Sequence, residues 1–204
     1  MTLLETSFPQ IKKCSKIKNM IHSLANKLTF SRILVIPVII LLLVIPHGWA
    51  AWIALFLFGM AGITDMLDGY MARRENQVTK LGRVLDPIAD KLLVSAVILL
   101  LVYNKHIDGM TVLPAVIILL REVAVSGLRE FLAELRVSVP VSQLAKWKTT
   151  IQIFALGFLM ISDRYAPDWI PSTLIGDIGL WIAGTLTVLT AWDYWRASER
   201  HFMG

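Results

Sequence analysis

Asp65, Asp68, Asp86 and Asp90 are the residues whose type and spacing most directly suggest chemistry. The first two occur in Thr64-Asp65-Met66-Leu67-Asp68-Gly69-Tyr70-Met71-Ala72-Arg73, and the others follow Gly82 in the next segment. Both groups lie where a long apolar run ends or begins. An ionised carboxylate beside hydrocarbon is costly, so its presence there points to function. Asp65 and Asp68 are three apart, and Gly82, Asp86 and Asp90 follow one another at intervals of four. On helices each set shares a face. Two such helices facing each other would gather four negative charges, and divalent cations are the natural way to hold them. An all-oxygen donor set favours magnesium, manganese or calcium over zinc. Gly69 and Ala72 carry almost no side chain, which suits close helix packing or close approach of a ligand to the backbone. Arg73, one turn from Gly69, has a planar fork that binds two phosphate oxygens. Acids, glycine, small residue and arginine together read as a diphosphate or phosphoryl site.

Two other readings compete. Salt bridges with Arg73, Arg83 and Lys91 would balance the charge, but would not explain four acids on two common faces. Intramembrane acids also serve ion- or proton-coupled transporters. Here the acids cluster at one end of their helices, and Asp177 is the only deep acid elsewhere. Arg121, Arg129, Lys146 and Lys148 form a second, basic set. They read either as ordinary cytoplasmic-side charges or as a site for an anionic second substrate. Arg121 lies farthest from the end of its segment and has Glu122 beside it, so it is expected to line a cavity.

The elements that must position these residues are apolar helices. Of 204 residues, 56% are apolar and only 17% are charged, against about 25% charged in a soluble domain. Mean hydropathy is +0.64. Several apolar runs approach the ~20 residues that cross a bilayer as helix. The expected fold is all-α: a polytopic membrane protein with six transmembrane helices. Residues 1–14 read as a flexible lead with no signal peptide. Residues 15–28 read as an amphipathic juxtamembrane helix, with Ile17, Met20, Ile21, Leu24 and Leu28 at helical spacing and Lys16, Lys18 and Lys27 between them. Residues 29–196 would form the six-helix catalytic domain and 197–204 a cytoplasmic tail.

The expected spans start near Thr29, Trp49, Gly82, Thr111, Leu144 and Pro171. They end near Pro46, Arg73, Tyr103, Leu132, Ile161 and Trp192. Pro87 would leave the Arg83 carbonyl without its helical partner. Of the 20 Lys and Arg residues, only Lys105 and Arg164 fall in the third-to-fourth and fifth-to-sixth connections. The positive-inside rule then makes the opposite side, with both termini and the aspartates, cytoplasmic. Trp49, Trp52, Tyr165 and Trp169 would mark the outer interface, and Trp147, Trp192 and Trp195 the inner one. The net charge of +5 is thus read as topology, not as a nucleic-acid surface. The single Cys14 permits no internal disulfide.

The pattern Asp65-x2-Asp68-Gly69-x2-Ala72-Arg73-x8-Gly82-x3-Asp86-x3-Asp90 resembles the signature of the CDP-alcohol phosphatidyltransferases at every fixed position. Asn26-Lys27-Leu28-Thr29-Phe30-Ser31-Arg32 is similar to that family's lead-in. Arg121-Glu122-x4-Gly127-Leu128-Arg129-Glu130 and Lys146-x-Lys148-Thr149-Thr150 resemble the bacterial members that make phosphatidylglycerol phosphate. The resemblance implies a homodimeric enzyme of the bacterial cytoplasmic membrane whose pocket opens to the cytoplasm and holds two divalent ions, Mg²⁺ or Mn²⁺. By it, Asp65, Asp68 and Asp86 bind one ion, and Asp65, Asp86 and Asp90 the other. Asp68, Gly69, Ala72, Arg73 and Gly82, with Asn26 and Thr29, form the cytidine-nucleotide side. Asp90 serves as general base, although the residues alone leave Asp86 equally placed. The implied reaction joins the lipid of CDP-diacylglycerol to sn-glycerol 3-phosphate and releases CMP. Arg121, Arg129, Lys146 and Lys148 would receive the acceptor phosphate. Serine, inositol phosphate and phosphatidylglycerol are the alternative acceptors.

Overall fold

A computed structural model of the chain describes residues 24–75, 80–134 and 143–202. Side chains within them are described except at 24–30, 65–84, 86–87, 129–130, 133–134, 143, 145–146, 193–194 and 197–202. The expected lead at 1–14 and the first part of the amphipathic helix, 15–23, lie outside the described residues.

Among the described residues six α-helices follow one another: α1 (Leu24–Val44), α2 (Gly48–Glu75), α3 (Lys80–Tyr103), α4 (Val112–Glu134), α5 (Gln143–Tyr165) and α6 (Ser172–Phe202). A 3₁₀ turn, Gly109–Thr111, leads into α4. No strand occurs among the described residues, so the fold is all-α. Gly109–Leu128 and Ser172–Trp192 are each long and apolar enough to cross a bilayer, consistent with a polytopic membrane protein. Ser31–Val44 and Gly48–Thr64 are shorter apolar helices.

Several helix ends differ from expectation. α1 is already helical at Leu24, the first described residue, so the end of the expected 15–28 helix runs unbroken into the first span. α6 continues past Trp192 as far as the last described residue, Phe202. Apolar runs locate the part of a helix that meets hydrocarbon. Good helix formers such as Ala197, Glu199 and Arg200 carry the same helix onward. Pro37 sits inside α1, where it removes the donor that would meet the Ile33 carbonyl. α3 ends in a Schellman motif. The His106 N–H donates to the Leu101 carbonyl at 2.9 Å and the Lys105 N–H to Val102 at 3.1 Å, with Lys105 left-handed at φ 58°.

α5 and α6 pack along their length as an antiparallel pair joined by a short connection. Glycine makes that approach feasible. A Cβ on Gly176 would fall 2.5 Å from Cγ of Leu159, and one on Gly184 would fall 2.8 Å from Cβ of Pro114 on α4. α1 packs on α2 and α3, α2 on α5, and α3 on α4 and α5. Between them lie Ile39, Val97, Leu101, Ile118, Leu156, Leu159 and Leu180. The outer faces are apolar too: Leu41, Phe56, Leu99, Leu120, Val123 and Phe154 are exposed. Apolar side chains inside and outside are what a helix bundle in lipid requires.

α5 breaks at Ser162, which has φ 41° and ψ 177°. The Asp163 N–H would meet the Leu159 carbonyl in a continuous helix. Instead it donates to Thr173 Oγ1 at 3.1 Å, while the Thr173 N–H donates to Asp163 Oδ1 at 2.9 Å. The Leu159 carbonyl accepts from His106 Nδ1 at 3.0 Å. Nearby, Trp52 Nε1 donates to the Tyr165 carbonyl at 3.3 Å. This places Trp52 and Tyr165 at one end of the bundle, with Trp49 and Trp169 also exposed there.

Candidate functional site

Four helices enclose a cavity of about 50 Å³, enough for roughly three to five waters. Phe58 and Gly62 of α2 form one wall, and Asp90 and Lys91 of α3 a second. Glu122 of α4 and Thr149, Gln152 and Ile153 of α5 complete it. The α5 residues are three and four apart, so helical geometry puts them on one face. Two acids, a cation and an amide thus converge from three apolar helices, where each must be satisfied or used.

A charged cluster stands behind this wall. The Lys148 ammonium is 2% exposed and donates to Oε1 of Glu122. Arg121 Nη1 lies 3.6 Å from the same oxygen. Arg121 Nη2 donates to Thr190 Oγ1 of α6 at 3.2 Å, and that hydroxyl donates to the Leu186 carbonyl at 2.8 Å. Two cations therefore share the Glu122 carboxylate. Asp90 acts electrostatically on Lys148. Lys91 Nζ donates to Ser126 Oγ of α4. Gln152 is 3% exposed, and its Oε1 meets no hydrogen-bond partner among the described residues.

Asp65, Asp68, Gly69, Ala72 and Arg73 lie on the C-terminal turns of α2, and Gly82 and Asp86 on the first turns of α3. Asn26 and Thr29 open α1, Arg129 lies near the end of α4, and Lys146 opens α5. The side chains of these eleven residues are outside the described set. Their places along the helices still matter. Asp65 is one turn beyond the cavity-lining Gly62, and Asp86 is one turn before the cavity-lining Asp90. Arg121 binds Glu122 and α6, and Glu122 is the member of that pair that lines the cavity.

Among the described residues no three His, Cys, Asp or Glu converge on a metal position. The described histidines, His47 and His106, belong to the end of the bundle that carries the Ser162 break. Of the four aspartates expected to bind metal, only Asp90 has a described side chain. Carboxylates as a residue type offer hard oxygen donors, a chemistry that fits Mg²⁺ or Mn²⁺.

Beside the cavity an apolar cleft of about 480 Å³ runs between α2 and α5. It shares Phe58, Gly62 and Ile153 with the cavity and extends along Gly59, Phe154 and Ile161. Sequence reasoning did not single out Gln152, Lys91 as a partner of Ser126, or Thr190. A signal existed for Gln152 alone: it is an amide inside the apolar run Ile151–Ile161.

The sequence pattern of CDP-alcohol phosphatidyltransferases matches residues 22–190. A CDP-diacylglycerol–glycerol-3-phosphate 3-phosphatidyltransferase of Rickettsia felis is 47% identical over 180 residues, covering 88% of this chain and 97% of the relative. The protein of that name from Rickettsia typhi is 48% identical, covering 88% and 99%. The Salmonella choleraesuis protein of that name is 39% identical over 168 residues, covering 81% and 87%.

Proposed function

Because the chain belongs to the CDP-alcohol phosphatidyltransferase family, we propose that it transfers the phosphatidyl group of CDP-diacylglycerol to sn-glycerol 3-phosphate. The products are phosphatidylglycerol phosphate and CMP. The observation that carries this reading is the near full-length similarity to relatives named for that reaction. The cavity supports it, since Asp90 sits in one wall and the Arg121–Glu122–Lys148 cluster, with its two cations, backs another.

In this reading six helices span a bacterial cytoplasmic membrane as a homodimer, with both termini and the cavity mouth on the cytoplasmic side. Residues 15–28 lie along that surface. The apolar cleft beside the cavity suits the acyl chains of the donor. Asp65, Asp68, Asp86 and Asp90 would hold two divalent cations, Mg²⁺ or Mn²⁺, which would neutralise the diphosphate and its developing charge. Arg73 binds donor phosphate, and Gly69, Ala72 and Gly82, with Asn26 and Thr29, admit the cytidine. Lys148 and Arg121, with Arg129 and Lys146, attract the acceptor phosphate. The acceptor hydroxyl oxygen attacks the phosphorus that bears diacylglycerol. Its proton passes to a carboxylate, Asp90 or Asp86. The bond from that phosphorus to the bridging oxygen breaks, and CMP departs with that oxygen.

The test is CMP release by purified protein from CDP-diacylglycerol across an acceptor panel, with Mg²⁺, with Mn²⁺ and with a chelator. Glycerol 3-phosphate should exceed serine, inositol phosphate, phosphatidylglycerol and glycerol by at least about tenfold. The chelator should abolish turnover. A win for serine or inositol phosphate would move the acceptor assignment. Ion flux in liposomes without CMP release would replace the enzyme reading by a transporter.

A further inference from the structure

Gln152 carries the strongest unassigned chemistry in the molecule. It is buried, it lines the polar cavity, and its amide oxygen meets no partner among the described residues. A buried acceptor in that state is destabilising unless a ligand or water completes it. Lys148 precedes it by four residues on α5, which places the two side chains on one helix face. Asp90 lines the same cavity from α3. Lys91, Gln152, Asp90 and Glu122 therefore line a space that suits a small polyol, with Lys148 behind Glu122.

Glycerol 3-phosphate presents three groups in a row: a phosphate, a central hydroxyl and a terminal hydroxyl. The phosphate belongs with the cations and the attacking hydroxyl with a carboxylate. A neutral amide oxygen is too weak a base to take the attacking proton. Its place is on a hydroxyl that keeps its proton throughout. We propose that Gln152 Oε1 accepts a hydrogen bond from the central hydroxyl of glycerol 3-phosphate, making Gln152 a specificity-determining residue. The proposal rests on glycerol 3-phosphate being the acceptor. It predicts discrimination against a phosphorylated alcohol that has the same chain length but lacks the central hydroxyl.

The experiment compares glycerol 3-phosphate with 3-hydroxypropyl phosphate by CMP release. It uses full-length protein in nanodiscs containing CDP-diacylglycerol. In the wild type, kcat/KM should favour glycerol 3-phosphate about tenfold to a hundredfold. In Gln152→Leu and Gln152→Met the ratio should fall to within about threefold, through weaker use of glycerol 3-phosphate. A merely structural glutamine would lower both rates and leave the ratio alone. Equal use of the two acceptors by the wild type would overturn the proposal, as would a wild-type ratio in either variant. Failure of both variants to fold would also overturn it, because it would make the side chain a strut of the bundle. No CMP release with glycerol 3-phosphate in the wild type, with release to another alcohol, would reject the acceptor assignment and this inference with it.

Discussion

Lys148 shows how strongly one carboxylate governs this site. An ammonium almost wholly removed from solvent requires a partner, and Glu122 supplies it. Removing that partner should cost more than the pair contributes. Glu122→Gln should therefore lower stability by about 3 kcal/mol in equilibrium unfolding. Glu122→Gln combined with Lys148→Met should regain most of the loss. Equal stability of the single variant and the wild type would mean that Lys148 finds another acceptor. Asp90→Asn should leave the fold intact and cut CMP release at least about a hundredfold, the usual scale of a lost general base. From the sequence, Lys148 read either as a topology charge or as an acceptor ligand, because its burial depends on an acid twenty-six positions away. Gln152 escaped notice because its meaning comes from a cavity shared by four helices, which no local spacing encodes.

The helices themselves were legible from their apolar runs, and their ends were less so. The expected end of the fifth at Ile161 falls at the Ser162 break, and the turn beyond it is a separate one. Nothing in Ser162-Asp163 announces that a distant histidine takes over the carbonyl that the break exposes. Burial pushes the His106 imidazole below its ordinary pKa of 6.5, helped by the nearby Arg164 charge. The unfolded chain therefore binds the proton first as pH falls. The stability from the neutral imidazole is complete above about pH 6.5 and is lost as pH drops through the lower folded value. His106→Gln keeps a donor for the Leu159 carbonyl but cannot titrate. The melting temperature of the wild type should fall more steeply than that of this variant between about pH 7 and pH 5. Parallel curves would remove His106 from the pH dependence.

The proposed orientation of the whole molecule rests on charge placement. In a Cys14→Ser background, Asp108→Cys should react with an impermeant maleimide on intact cells and Gln77→Cys should not. The opposite pattern would invert the bundle and put the proposed nucleotide site on the wrong side for CMP to return to metabolism. The cleft between α2 and α5 has its own consequence at this scale. Its α5 wall runs from Thr150 to Ile161, about 16 Å of helix, comparable with half of a ~30 Å hydrocarbon core. A lipid occupying it would keep its tails in its own leaflet and arrive by lateral diffusion. The relevant concentration of donor would then be its mole fraction in the membrane plane. Turnover would slow when inert lipid dilutes that surface, even with the total amount of donor in the vessel unchanged.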